Sequence, residues 1–379
     1  MKERGLKAKA KKLILKVVAA AAALDKRPCG PFGRRKGVCY VVPNANWAAD
    51  TVGNYVTRGI RETGRMEAAT VTREDLPRLR GQILHFGTIG DFAASSKSAA
   101  IGKNKIVVTV FHGDRDSADP GLSQSIDRFL AGLATIDRVV TGCGIMEKRL
   151  AQWGVPRNKL VRVPLGVDLK LFGPPPSPLY RKNLRSELGI PEERICIGSF
   201  QKDGNGWQEG LEPKLIKGPD VFLDTLNLIK DKYPLFVLLT GPARGFVRQG
   251  LEKMGIPYAH AMLSDYSEVV RYYHALDMYL MTSREDGAPA ALLESFACGT
   301  PLIATRVGMV PDITIDGDNA LTAESENSHA LASRIGTLLE TPGLAEKLAR
   351  NGAKTISRFG WPEIAGLYLE KVYLPLSVA

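Results

Sequence analysis

The stretch 282–311 reads TSREDGAPAALLESFACGTPLIATRVGMVP and is the most informative in the chain. A strand end runs into a loop holding Glu285 and Asp286, and Gly287 and Pro289 lead into a helix carrying Glu294. Proline near the first turn of a helix is favourable, because its missing N–H had no partner there. The helix start offers free N–H groups and the positive end of a dipole to phosphate or sugar oxygens. Carboxylate oxygens can each accept a hydrogen bond from one of two vicinal hydroxyls. Two acids about two helical turns apart could therefore hold two sugar rings of one ligand. The dipole alone also favours acids at a helix start, so the pair is not by itself decisive.

A second segment, 196–222 (CIGSFQKDGNGWQEGLEPKLIKGPDVF), reads as strand, glycine-containing loop and helix, an order that lets backbone approach a phosphate. Lys202 and Lys217 could neutralise a phosphate there, or stand as surface lysines. Arg244, after Thr240, Gly241 and Pro242, could reach a phosphate or lie on the surface. In the first half, 109–114 (TVFHGD) puts His112 at a strand end, although a lone histidine is more often structural. Asp114/Asp116 and Asp316/Asp318 are Asp-x-Asp pairs of the kind that can hold a divalent metal. With 40 acidic residues such pairs arise by chance, and no metal requirement is expected.

The spacing of Asp286 and Glu294, an acid, seven residues, then Glu, followed by CGTPLIATRVGMVPD, resembles the paired-acid motif of family 4 glycosyltransferases. Segment 163–172 (VPLGVDLKLF) is similar to that family's interdomain segment, and Lys217-Gly218 to its Lys-Gly pair. The resemblance implies an α/β GT-B fold, two doubly wound Rossmann-like domains facing a central cleft. It implies transfer of a sugar from a nucleotide-sugar donor, such as a UDP- or GDP-sugar, to a polysaccharide, lipid or small-molecule acceptor, among which the basic arm favours a glycan or lipid-linked acceptor in polysaccharide or cell-envelope synthesis. Anomeric configuration would be retained, with no cofactor and no metal. By the same resemblance Glu294 binds the ribose hydroxyls, and Asp286 or Glu285 lies by the donor sugar. The amides of Gly287 and Ala288 face that sugar or the diphosphate, and His112 contacts the sugar. Three departures stand out. Asp286 takes a place where the family usually has Glu. Ser199 stands where an arginine is expected, before a longer loop, which leaves Lys202 to supply that phosphate contact. Segment 44–50 (NANWAAD) follows the first strand, where the resemblance implies an acceptor-side loop and makes Trp47 and Asp50 candidates for it, but it lacks the usual glycine pair, so no acceptor contacts carry over. Rival readings are a GT-B-like sugar-nucleotide epimerase or phosphorylase, and a non-catalytic basic binding protein.

These groups need a scaffold, and the apolar pattern supplies one. Strand-like runs at 37–43, 83–86, 105–111 and 138–141 alternate with helical segments at 50–63 and 123–135. After GPPPSP at 173–178, a linker by its proline content, strands at 195–200, 235–240, 277–281 and 302–305 and a helix at 218–231 continue the alternation. Parallel strands need crossover helices, so this order predicts two parallel α/β sheets. The expected layout is an arm at 1–35, an acceptor-side domain at 36–172, a linker at 173–178 and a donor-binding domain at 179–360. Segment 361–379 crosses back to the first domain, as the resemblance implies.

The net charge of +11 is concentrated at the start. Through residue 36 twelve basic residues face only Glu3 and Asp25, which accounts for ten of the eleven charges. The body is thus nearly neutral and lacks the aromatic-basic stacking pattern of a nucleic-acid binder, so no nucleic-acid partner is expected. The arm could meet an anionic membrane surface or stand as a solvated helical tail. Its apolar run is too short and interrupted for a membrane span, and weak for a signal peptide. Five widely spaced cysteines, with no CxxC, indicate neither a zinc site nor a disulfide framework. A cytoplasmic location follows, with the arm able to touch the inner face of the membrane.

Overall fold

The computed structural model describes residues 31–32, 35–43, 48–98, 101–115 and 120–377. The basic arm through residue 30, Trp47 and Asp116 lie outside them. Among the described residues, twelve strands form two six-stranded sheets. The first holds β1 (Gly37–Val41), β2 (Glu67–Val71), β3 (Ile83–Phe86), β4 (Lys105–Thr109), β5 (Arg138–Thr141) and β6 (Leu160–Arg162), in the order β2-β1-β3-β4-β5-β6. The second holds β7 (Ile195–Ser199), β8 (Leu235–Thr240), β9 (Tyr258–Ala261), β10 (Met278–Met281), β11 (Leu302–Thr305) and β12 (Leu321–Ala323), in the order β12-β11-β10-β7-β8-β9. Pairing is parallel, in register from Ile195↔Leu235 to Ser199↔Leu239 between β7 and β8.

Contacts group the chain into two compact units. One comprises Met1–Thr109, Gln124–Arg138 and Leu369–Ala379, the other Val110–Ser123 and Val139–Tyr368. The whole second sheet lies in the latter. The run Leu235–Thr240 (LFVLLT) is buried throughout, as expected of a strand covered on both faces. The helix Pro219–Ile229 buries Val221, Phe222, Leu226 and Ile229 as one apolar stripe against the core that Ile197, Val237 and Leu280 share. Gly218 before it has φ +63°, and a Cβ there would stand 2.0 Å from the Thr282 carbonyl oxygen. Only glycine fits at that turn, so the Lys-Gly pair is fixed against the end of β10 by sterics.

Several boundaries differ from expectation. β4 ends at Thr109 rather than 111, because Phe111 turns its carbonyl toward Gly287, where a Cβ would lie 1.8 Å from that oxygen. Pro178 does not end a linker but opens the helix Pro178–Glu187, capped by Ser177, whose Oγ accepts from the Tyr180 N–H at 3.1 Å. Segment 361–377 is broken into Trp361–Tyr368, a π-helical turn Leu369–Tyr373 and Leu374–Ser377.

Candidate active site

Beyond the carboxyl ends of β7, β8 and β10 lies a cavity of about 520 Å³. Ligands of open α/β sheets bind on that side. Its polar wall is made by Gln201, Lys202, Lys214, Lys217, Asp286 and Glu294, and its aromatic wall by Phe200, Tyr266, Tyr273 and Tyr279. All belong to one compact unit.

Glu294 sits on the helix Ala290–Cys298 and is 6% exposed. Tyr273 donates to its Oε2 at 2.8 Å, and Tyr266 donates to its Oε1. Burial raises the Glu294 pKa, and the two tyrosine hydrogen bonds pull it back down. Burial likewise pushes both tyrosine hydroxyls well above their ordinary range. Tyr266 as a residue is 57% exposed, so that desolvation acts on its hydroxyl end, drawn in to Glu294, and not on the ring. A carboxylate offers about four acceptor positions. The tyrosines take two, and the remainder suit a pair of ligand hydroxyls.

The two adjacent acids of the motif separate. Glu285 accepts from the Gly113 N–H at 3.1 Å and from Arg149 at 2.9 Å, which occupies it structurally. Asp286 lines the cavity, ion-paired with Lys217. The Ala288 N–H donates to Asp286 Oδ1 at 3.3 Å and Gly287 packs on the Phe111 carbonyl, so neither amide is on the cavity wall. Pro289, Ala290 and Ala291 are there instead, at the helix start. His112 is exposed and not on the wall, although Asp286, Lys217, Glu285 and Lys214 are close enough to act on it electrostatically. Its pKa is lowered, by desolvation first, with Asp286 opposing.

Arg244 is not brought to the cavity. Its side chain has no exposed area and pairs with Asp203 at 2.9 Å, donating also to the Ser199 carbonyl at 2.6 Å and the Thr240 carbonyl at 3.1 Å. Burial raises the Asp203 pKa against the opposing pull of Arg244. Lys202 is on the wall, its ammonium 4.1 Å from the centroid of the Trp207 ring. Asp316 accepts from the Thr322 N–H and Arg334, and Asp318 from Asn351, so both serve the packing of their own loop. Sequence reasoning missed Lys214, Tyr266, Tyr273 and Tyr279. The two-tyrosine partnership of Glu294 left no signal, since residues 258–276 carry no motif. Lys214 was discoverable as a third lysine in the long loop.

Part of the chain is similar to known proteins. Residues 211–355 match the family profile described as Glycosyl transferases group 1. The chain is similar to a D-inositol 3-phosphate glycosyltransferase of Xylanimonas cellulosilytica, 29% identical over 241 residues, 59% of this chain and 53% of that protein. It is also similar to an uncharacterized glycosyltransferase of Methanocaldococcus jannaschii, 28% identical over 42% of this chain and 45% of that protein. The chain thus spans about half the length of the curated relatives it matches. Among solved structures, sucrose-phosphate synthase from Thermosynechococcus elongatus superposes with a TM-score of 0.72 at 18% identity, over 91% of this chain and 100% of that one. Anabaena HepE in complex with UDP and glucose gives 0.73 at 14% identity, over 89% and 99%. The two parallel α/β sheets are those of the GT-B fold.

Proposed function

We propose that this protein is a glycosyltransferase that moves a sugar from a nucleotide-sugar donor to a glycan or lipid-linked acceptor. The observation that carries the reading is the cavity beyond β7, β8 and β10, where Glu294, the Lys217–Asp286 pair and Lys214, all within the group 1 match, line one wall together with Lys202, which precedes it. Glu294 takes the ribose hydroxyls, Lys217 and its neighbours the diphosphate, and Asp286 a hydroxyl of the donor sugar. The UDP complex of the similarly folded HepE supports a nucleoside diphosphate as the core of the donor.

The reaction retains anomeric configuration. The acceptor oxygen approaches the face from which the diphosphate leaves, the bond between anomeric carbon and phosphate oxygen breaks, and the acceptor proton passes to the departing diphosphate. The protein acts by orientation and by stabilising the charge that develops on the leaving group. The cations for this are the cavity's own lysines, so the reaction runs without metal. The basic arm, outside the described residues, attaches the enzyme to an anionic membrane surface where a lipid-linked acceptor resides. Among the described residues no helix is long and apolar enough to cross a membrane.

The test is ligand-induced thermal stabilisation with UDP-, GDP- and ADP-sugars in EDTA. A ligand at 100 times its Kd stabilises by about 2.7 kcal/mol. A shift with one nucleotide family that Glu294→Ala abolishes is the expected result. A shift that needs Mg²⁺ overturns the metal-free mechanism, and no shift with any donor overturns the donor site.

A further inference from the structure

The loop between β7 and the helix Pro219–Ile229 is long, and its two arms are tied together. Gly204 and Pro213 form an antiparallel bridge, the Asn205 N–H donates to the Glu212 carbonyl at 2.9 Å, and the Lys214 N–H to the Asp203 carbonyl at 2.7 Å. The tied loop is then seated on the turn after β8. The Gly245 N–H donates to the Glu209 carbonyl at 2.6 Å and the Phe246 N–H to that of Gly210 at 3.0 Å. Backbone meets backbone there. A Cβ on Gly204 would lie 2.3 Å from the Ala243 carbonyl oxygen, and one on Gly210 2.5 Å from the Ala243 backbone. Ala243 itself holds φ +59°, a left-handed conformation that a side chain disfavours.

At the root of this seat is the Asp203–Arg244 pair, 1% and 0% exposed at the side chains. It is an imperfect pair, since Asp203 Oδ1 and Arg244 Nε find no partner among the described residues. A buried ion pair with unmet polar atoms is poor value for stability against an apolar pair of the same volume. What it does supply is geometry. The Arg244 fork reaches the end of β7 at the Ser199 carbonyl and Oγ, the end of β8 at the Thr240 carbonyl, and the loop at Asp203. Lys202 precedes Asp203 in the chain, and Lys214 is joined to Asp203 by its backbone hydrogen bond. Both lysines line the cavity with Lys217. Three lysines thus line one cavity. Like charges gathered in one cavity are stabilised by a polyanion, and a diphosphate carries the matching charge.

The geometry points to Asp203 and Arg244 as positioning residues for a lysine clamp, Lys202 with Lys214, that holds the diphosphate from this loop. Arg244 reaches the phosphate site through the loop and not by contact. This inference rests on the proposed donor site and adds to it the residues that set diphosphate recognition.

Calorimetric titration of the full chain with UDP, UMP, GDP, GMP and inorganic pyrophosphate tests it. Lys214→Ala, a change at a cavity wall, is expected to lower the preference for diphosphate over monophosphate by about tenfold, the loss of one charge-assisted contact. Arg244→Lys keeps a cation against Asp203 but loses the fork, and is expected to lower the same preference with less than a twofold change for the monophosphate. Combining the two is expected to give less than the product of the single effects, because one acts through the other. An equal loss for mono- and diphosphates in Arg244→Lys, or a fully multiplicative double variant, assigns Arg244 to the core and overturns the inference while the donor site stands. If the unaltered chain binds none of the diphosphates and no pyrophosphate, the donor site and the clamp fall together.

Discussion

His85 and Glu294 are alike on paper. Each is buried, ionisable and hydrogen-bonded to tyrosine. His85, on β3, is fully buried, with Nε2 2.7 Å from Thr109 Oγ1 and Nδ1 bonded to the Tyr373 hydroxyl. Both ring nitrogens are used, and the residues around them belong to the core. Glu294 has two tyrosine partners and acceptor capacity left over, and it lines a cavity beside three lysines. Burial and a tyrosine partner therefore do not mark a site. What sets Glu294 apart is unspent hydrogen-bonding capacity facing an open volume. The first arrangement fixes a fold, and the second leaves a polar group with the capacity that the proposed donor site uses.

Changing pH should separate the two most strongly. Burial lowers the His85 pKa to about 3, against about 6.5 in an unfolded chain. Between those values the unfolded chain binds the extra proton, so stability falls as pH drops from 6.5 toward 3, by roughly 4 kcal/mol over the window. Denaturation midpoints measured from pH 7 to pH 4 are expected to lose most of this slope in His85→Gln, with UDP affinity unchanged. An unaltered slope would break the comparison on the His85 side. Next in size, Lys217→Ala is expected to lower turnover with a nucleotide sugar about 10²-fold by removing charge stabilisation from the leaving group. Near-normal turnover removes Lys217 from that role. Glu294→Ala should weaken UDP binding about tenfold or more, and unchanged affinity would make Glu294 as structural as His85. The finest contrast is between two tyrosines. Tyr373→Phe should cost about 1 kcal/mol of stability and leave UDP binding alone, while Tyr266→Phe should change UDP affinity severalfold with a smaller cost. Reversal of that pattern in calorimetry would exchange the two roles.

Much of the scaffold was legible in the residues. The central strands announce themselves as continuous apolar runs, as at 235–240, because a strand covered on both faces needs them. The four strands that escaped, β2, β6, β9 and β12, are the four edges of the two sheets. Three of them are only partly buried, as in the Tyr258–Ala261 pattern, and β12 has three residues. Such strands need no continuous apolar run and leave a weak periodic signal. At the site, the acid pair and the Lys-Gly turn were readable because glycine, proline and helix-start acids are constrained by local backbone geometry.

The amino-acid order by itself determined the alternation of strands and helices, the turn at Gly218 and the placing of Asp286 and Glu294 eight residues apart at a helix start. These follow from local sterics, hydrogen bonding and the period of apolar residues. Which acid faces the cavity was decided only by tertiary packing. Arg149 and the Gly113 amide claim Glu285 and leave Asp286 to Lys217. The same holds for Arg244, a plausible phosphate ligand by position, which the partner 41 residues earlier draws into the interior. A side chain's role depends on which groups compete for it. Those competitors arrive from distant parts of the chain, where no local pattern can register them.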